Sequence, residues 1–160
     1  MEKSGLRVSQ WTALIVLRML IGWHFLYEGM VKVLNPNWTA AGYLAESRGA
    51  FSGFFTWLVA DPTRLATVDF LNTWGLVLIG LGLIAGFLTR CATFSGMLVL
   101  VLYYLCNPPF PAYTYSMPSE GSYLIVNKVL IEAAALWVLF VIPTGKVAGL
   151  DRLLGAGKHE

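Results

Sequence analysis

The sequence predicts an all-α integral membrane protein: a four-transmembrane-helix bundle with both termini cytoplasmic and an interfacial helix in its long first outer loop. Three observations predict it. Hydrophobic residues fill 57% of the 160 positions and charged residues only 12%, about half the charged fraction of a soluble domain, and mean hydropathy is +0.66. The apolar residues are blocked into runs near the length of about 20 residues that crosses a hydrocarbon core. Lysine and arginine gather on one side of those runs. Residues 1–160 read as a single membrane domain.

The first span covers residues 11–33. Arg18 interrupts it and no small-residue cleavage site follows, so it is not a signal peptide. The long outer loop, 35–69, contains "GAFSGFFTWLVADP", apolar but too short to cross. It reads as an interfacial or re-entrant helix with Phe51, Phe54, Phe55 and Trp57 among the headgroups. The second span covers 70–88 and the third 91–106, joined by a tight hairpin turn at "TRC". The fourth covers 123–142, after the proline-rich "NPPFPAYTYSMPSEG". Lys3, Arg7, Arg90, Lys146, Arg152 and Lys158 fall on one side, against Arg48 and Arg64 on the other. The positive-inside rule therefore places both termini in the cytoplasm. Trp11, Trp38 and Trp74 fall near span ends, as an aromatic belt requires.

The first span carries the chemistry. At about 100° per residue with Arg18 as zero, Lys32 falls near −40°, Glu28 near −80° and His24 near −120°. One third of the helix holds all four polar groups. Gly22 and Gly29 lie beside Arg18, where another helix can approach closely. An ionised side chain at mid-bilayer costs about 3 kcal/mol on insertion scales, so this arc is expected to face the bundle interior or a water-filled cavity.

The fourth span supplies partners, Lys128 and Glu132, spaced four apart. The two helices run in opposite directions, so crossed pairing is expected: Glu28 with Lys128, and Glu132 with Lys32 or His24. Asn72, Asn127, Tyr103 and Tyr104 are candidate hydrogen-bonding groups beside them, and the polar site is expected in the outer half of the membrane. His24, Glu28 and Glu132 are the candidates for proton chemistry. Lys32, Asn72, Tyr103, Tyr104, Asn127 and Lys128 are the candidates for ligand binding. Arg18, Glu28, Lys128 and Glu132 are candidates for structural ion pairs, since buried polar groups also fix helix register.

Other classes are excluded or weak. A net charge of +2 with no basic run argues against nucleic acid. No zinc spacing, nucleophile elbow or phosphate loop occurs. His24 is the one histidine in a span and His159 lies in the tail, so no metal or haem ligand set is expected. Cys91 and Cys106 sit about 22 Å apart on one predicted helix, too far for a disulfide. "GLIAG", residues 82–86, is a small-xxx-small pattern for close helix contact, within the bundle or between protomers.

"LRMLIGWHFLYEGMVKVLNPNWTAAGYL", the "GLVLIGLGLIAGFLTRCATFSGMLVLVLYYL" hairpin and the Asn127-Lys128 start of the last helix together resemble the DoxX/DoxD family. The most specific part is "GWHFLYEGMVK", followed by Trp38 and "GYL". These are small four-helix membrane proteins that include the DoxD-type subunit of thiosulfate:quinone oxidoreductase. The resemblance implies a subunit of a bacterial inner-membrane redox system linked to the quinone pool or to sulfur compounds. The chain shows no flavin, haem or iron–sulfur motif of its own. A redox partner subunit, a quinone or a homodimer is therefore the expected complement, with the lipid bilayer as surroundings. The alternatives are a small-molecule or lipid binding or transport module, and a non-catalytic accessory subunit of a membrane complex.

Overall fold

Asp61 starts the helix around which the others pack. Its carboxylate accepts from the Thr63 and Arg64 amides at 2.8 and 3.1 Å, and Pro62 occupies the first helical position, where its missing N–H costs nothing. The computed structural model describes residues 5–116 and 124–155; Lys3, Tyr123, Lys158 and His159 lie outside the described residues. The fold is all-helical: α1 (Val8–Leu34), α2 (Ala41–Ala45), α3 (Ser52–Val59), α4 (Pro62–Ala85), α5 (Thr89–Cys106), α6 (Lys128–Val141), a 3-10 turn (Thr144–Lys146) and α7 (Asp151–Gly155). Three of these, α1, α4 and α5, are long and apolar enough to cross a membrane.

The helices differ from the predicted spans in ways that have local causes. The cap at Asp61 starts α4 eight residues before the predicted 70. Gly86 then ends it in the left-handed conformation, φ 64°, the usual helix stop. The hairpin turn is thus Gly86 to Leu88 rather than "TRC", and Thr89 to Cys91 belong to α5. The last helix begins at Lys128, not 123, because the Asn127 side chain caps it through Leu130 N at 3.0 Å. Its 14 residues make about 21 Å of helix.

α1 packs along α4, α4 along α5 and α5 along α6, while α6 meets α1 only sparsely. The α1–α4 contact is made at glycines. Gly22 lies against Leu83 and Ile84, Gly29 against Leu76 and Val77, and Gly80 against the backbone of Leu26. In lipid the hydrophobic effect does not pull helices together, so this backbone-to-backbone packing supplies the attraction. Ile21, Phe25, Leu76, Ile79, Leu83, Leu100, Leu136 and Leu139 fill the middle of the bundle. Gly96 lets Leu136 and Phe25 meet there.

Beyond one end of the bundle the first loop folds into a cap with its own core of Ala40, Leu44, Phe55 and Cys106. Ser47 Oγ donates to the Cys106 carbonyl at 2.7 Å, Tyr43 Oη to the Tyr103 carbonyl at 3.0 Å, and Ala40 N to Asp69 Oδ1 at 2.8 Å. The predicted helix in this loop is present as α3, with Phe51, Phe54 and Trp57 exposed. Phe55 is not among the headgroup-facing residues: it is 4% exposed and packs inward, because it shares the α3 face that rests on Leu44 and Cys106. Arg64 stacks 4.0 Å over Trp57 and ties the cap to α4. Cys91 and Cys106 are both free thiols, the second buried as a small apolar filler.

At the other end the C-terminal segment closes the α4–α5 turn. Leu88 has no side-chain oxygen to cap α5, and Asp151 does so from a distance in sequence. Its carboxylate accepts from Leu88 N at 2.7 Å, Thr89 N at 3.0 Å and Thr89 Oγ1 at 2.5 Å. Gly86 and Gly149 pack against each other too tightly for either to carry a Cβ.

The Asp61 cap has a pH consequence. Bonds from the Arg64 and Thr63 amides hold its carboxyl below the ordinary value of 3.8. A depressed folded pKa contributes stability above the unfolded value, lost as pH falls through the folded one. The melting temperature of the wild type is therefore expected to fall as the pH drops below about 4, more steeply than that of Asp61→Asn, which keeps an acceptor oxygen but cannot ionise. Parallel curves would assign the acid loss elsewhere.

Candidate functional site

α1 buries Arg18, Ile21, Gly22, Phe25 and Gly29, a stripe from about −60° to +40° on the wheel. Glu28 and His24 fall at its margin, so the structure does not put them inside the bundle. They line the sparse seam between α1 and α6, each about half exposed, and the His24 ring sits edge-on beside Phe25.

A hydrogen bond bridges the seam: His24 Nδ1 and Glu132 Oε1 are 2.7 Å apart. An ionised carboxylate only accepts, so Nδ1 carries the hydrogen and donates. Nε2 has no hydrogen-bond partner among the described residues. The His24 side chain is 50% exposed, while that of Glu132 is 15% exposed. One turn further along α1, Lys32 Nζ donates to Glu28 Oε2 at 2.9 Å and to the Glu28 carbonyl at 3.2 Å. Of the expected crossed pairs, Glu132 with His24 is present. Glu28 pairs with Lys32, which the i,i+4 geometry places beside it without ordering a second helix. Lys128 contributes positive charge to both Glu28 and His24. Two carboxylates, two ammonium groups and one imidazole thus share one seam.

The other candidates separate. Asn72 Nδ2 donates to Tyr103 Oη at 2.7 Å, and Tyr103 lies close enough to Glu28 to feel its charge. The buried Asn72 Oδ1 has no partner among the described residues. This pair forms an inner polar wall behind the seam. Tyr104 is committed elsewhere: its hydroxyl donates to the Ile125 carbonyl at 2.9 Å and anchors the segment before α6. Asn127 is the α6 cap.

Arg18 belongs to the opposite end. It is 2% exposed, with Nη1 donating to Thr144 Oγ1 at 3.1 Å and Nη2 to the Ala148 carbonyl at 2.6 Å. Through these two bonds it locks the C-terminal segment onto α1. Thr144, Ala148 and Asp151 were invisible as its neighbours in the sequence, where nothing marks which distant carbonyl a buried guanidinium will meet. Among the described residues no cluster of histidine, cysteine or carboxylate side chains has the makings of a metal site.

Compared with known proteins, the chain matches no family model, no curated protein and no solved structure.

Proposed function

We propose that the chain is a DoxX-like subunit of a bacterial inner-membrane redox system, four-spanning with both termini cytoplasmic, whose α1–α6 seam takes the headgroup of a membrane quinone. The supporting observation is the His24–Glu132 pair, with one imidazole nitrogen fixed by a carboxylate and the other without a hydrogen-bond partner among the described residues. Reduction of a quinone takes up two electrons and two protons. Electrons come from a redox partner subunit, since the sequence carries no redox-centre motif. This chain's residues hold the headgroup and move protons. Nε2–H passes its proton to one carbonyl oxygen as a protonated Glu132 gives its own to Nδ1, which leaves the Nδ1–H ring beside the ionised carboxylate; a further proton taken up by the pair supplies the second transfer. Lys128 adds positive charge where the headgroup gains electron density. Glu28, neutralised by Lys32, stands one turn away as the next carboxylate of a relay.

The test is melting of the purified chain in mild detergent with and without a soluble short-tailed quinone. A quinone that binds the folded state stabilises it by about 2.7 kcal/mol at a hundredfold excess over Kd. His24→Phe should keep the fold and lose this response. No response in the wild type, with phospholipid alone stabilising, would replace the redox reading by a binding or accessory role.

A further inference from the structure

Lys32 contributes to a second place. Beyond its bond to Glu28, it lines a shallow cleft of about 290 Å³ together with Trp38, Asp69, Phe70, Thr73 and Trp74. The cleft lies where α1 ends and the capping loop begins, on the α4 side of α1. Its volume is at the small end of ligand clefts, which run from about 300 Å³, so it suits a headgroup rather than a whole lipid. Phe70 and Trp74 are 62% and 46% exposed and offer an apolar wall along which acyl chains can run.

The charges in the cleft are of both signs. Lys32 is largely buried, its side chain 13% exposed, and its Nζ stands 5.4 Å from the Trp38 ring centre. Asp69 uses Oδ1 to accept from Ala40 N; Oδ2 has no partner among the described residues. A simple anion would meet Lys32 but be opposed by Asp69 and Glu28. A simple cation would meet the reverse. The complement is a zwitterion whose phosphate reaches Lys32 and whose ammonium donates to Asp69 beside the faces of Trp38 and Trp74.

We propose that this cleft is a binding site for phosphatidylethanolamine. The ethanolamine ammonium carries the N–H donors that Asp69 Oδ2 accepts, and a glycerol headgroup carries no positive charge to offer. The site does not involve His24 or Glu132, so it stands or falls separately from the quinone reading.

The experiment is native mass spectrometry of the delipidated full chain, titrated with phosphatidylethanolamine and phosphatidylglycerol of identical acyl chains. The wild type should retain phosphatidylethanolamine about tenfold better, the scale of one charge-assisted hydrogen bond. Asp69→Asn keeps the Oδ1 acceptor for Ala40 and should bring the two lipids to parity. Trp74→Leu, which breaks no hydrogen bond, should cut the preference about threefold through the lost cation–π contact. It also decides the matter should Asp69→Asn fail to fold. Equal retention by the wild type overturns the proposal, as does a preference for phosphatidylglycerol. A preference that survives in every folded variant overturns it too.

Discussion

Gly80→Leu should separate α1 from α4 and leave no folded bundle to purify. A Cβ at Gly80 would land on the backbone of Leu26, with both N and Cα in the way. A backbone cannot rotate aside as a side chain can, so relief requires the two helices to move apart. That movement would also open the contacts at Gly22 and Gly29, which share the interface. Overpacking typically costs about 1–3 kcal/mol, the range expected for Gly80→Ala. A leucine at a backbone contact exceeds it. Gly75 provides the control, since nothing lies within 4 Å of its Cβ position. Gly75→Ala should stabilise by up to about 1 kcal/mol, from helix propensity alone. Melting temperatures of the two alanine variants in one detergent should therefore move in opposite directions. If both rose, the close approach of α1 and α4 would be wrong.

The second large effect is at Glu132. Glu132→Ala removes the group that orients the His24 ring, and with it the His24–Glu132 hydrogen bond across the α1–α6 seam. A hydrogen bond to a charged group contributes about 1.5–3 kcal/mol, and the half exposure of His24 argues for the lower part of that range. Quinone affinity should accordingly fall about tenfold. Glu132→Gln keeps an acceptor oxygen for Nδ1 but cannot carry a proton. It should bind quinone nearly as well as the wild type, yet fail to support turnover in the assembled complex. Affinity by thermal shift and turnover with the partner present separate the two roles. If alanine and glutamine behaved alike in both assays, Glu132 would be neither an orienting nor a proton-carrying group.

Much of the candidate site was legible because it rests on helical periodicity. A spacing of four places His24, Glu28 and Lys32 on one arc whatever the helix packs against, and the antiparallel run of the last helix brings Glu132 toward His24. The Lys32–Glu28 pair follows from i,i+4 spacing within one helix. How near Lys128 comes to Glu28 was not legible, because that depends on how far α6 stands from α1. The start of α4 carried a readable signal, an aspartate before a proline. It lay outside the apolar window because the first two turns, Pro62 to Asp69, are mixed in polarity and pack on the cap instead of lipid. Phe55 and Phe54 are neighbours in an aromatic run with identical chemistry. One is buried and the other exposed only because α3 rests on Leu44 and Cys106 along one face.

The sequence by itself determined that the chain carries helices apolar enough to cross a membrane, roughly where its long helices run, and that one face of the first helix carries charges needing partners. Composition, run length and period decide these, and all three are properties of short windows. Only the tertiary structure decided that Asp151 caps α5, that Arg18 holds the C-terminal segment, and that Lys32 and Asp69 share a cleft with Trp74. Each of these joins groups tens of residues apart, Arg18 and Thr144 by 126 positions. Such pairings depend on the distance and rotation between packed helices. Those are set by the glycine contacts of α1 with α4, and no local pattern encodes them.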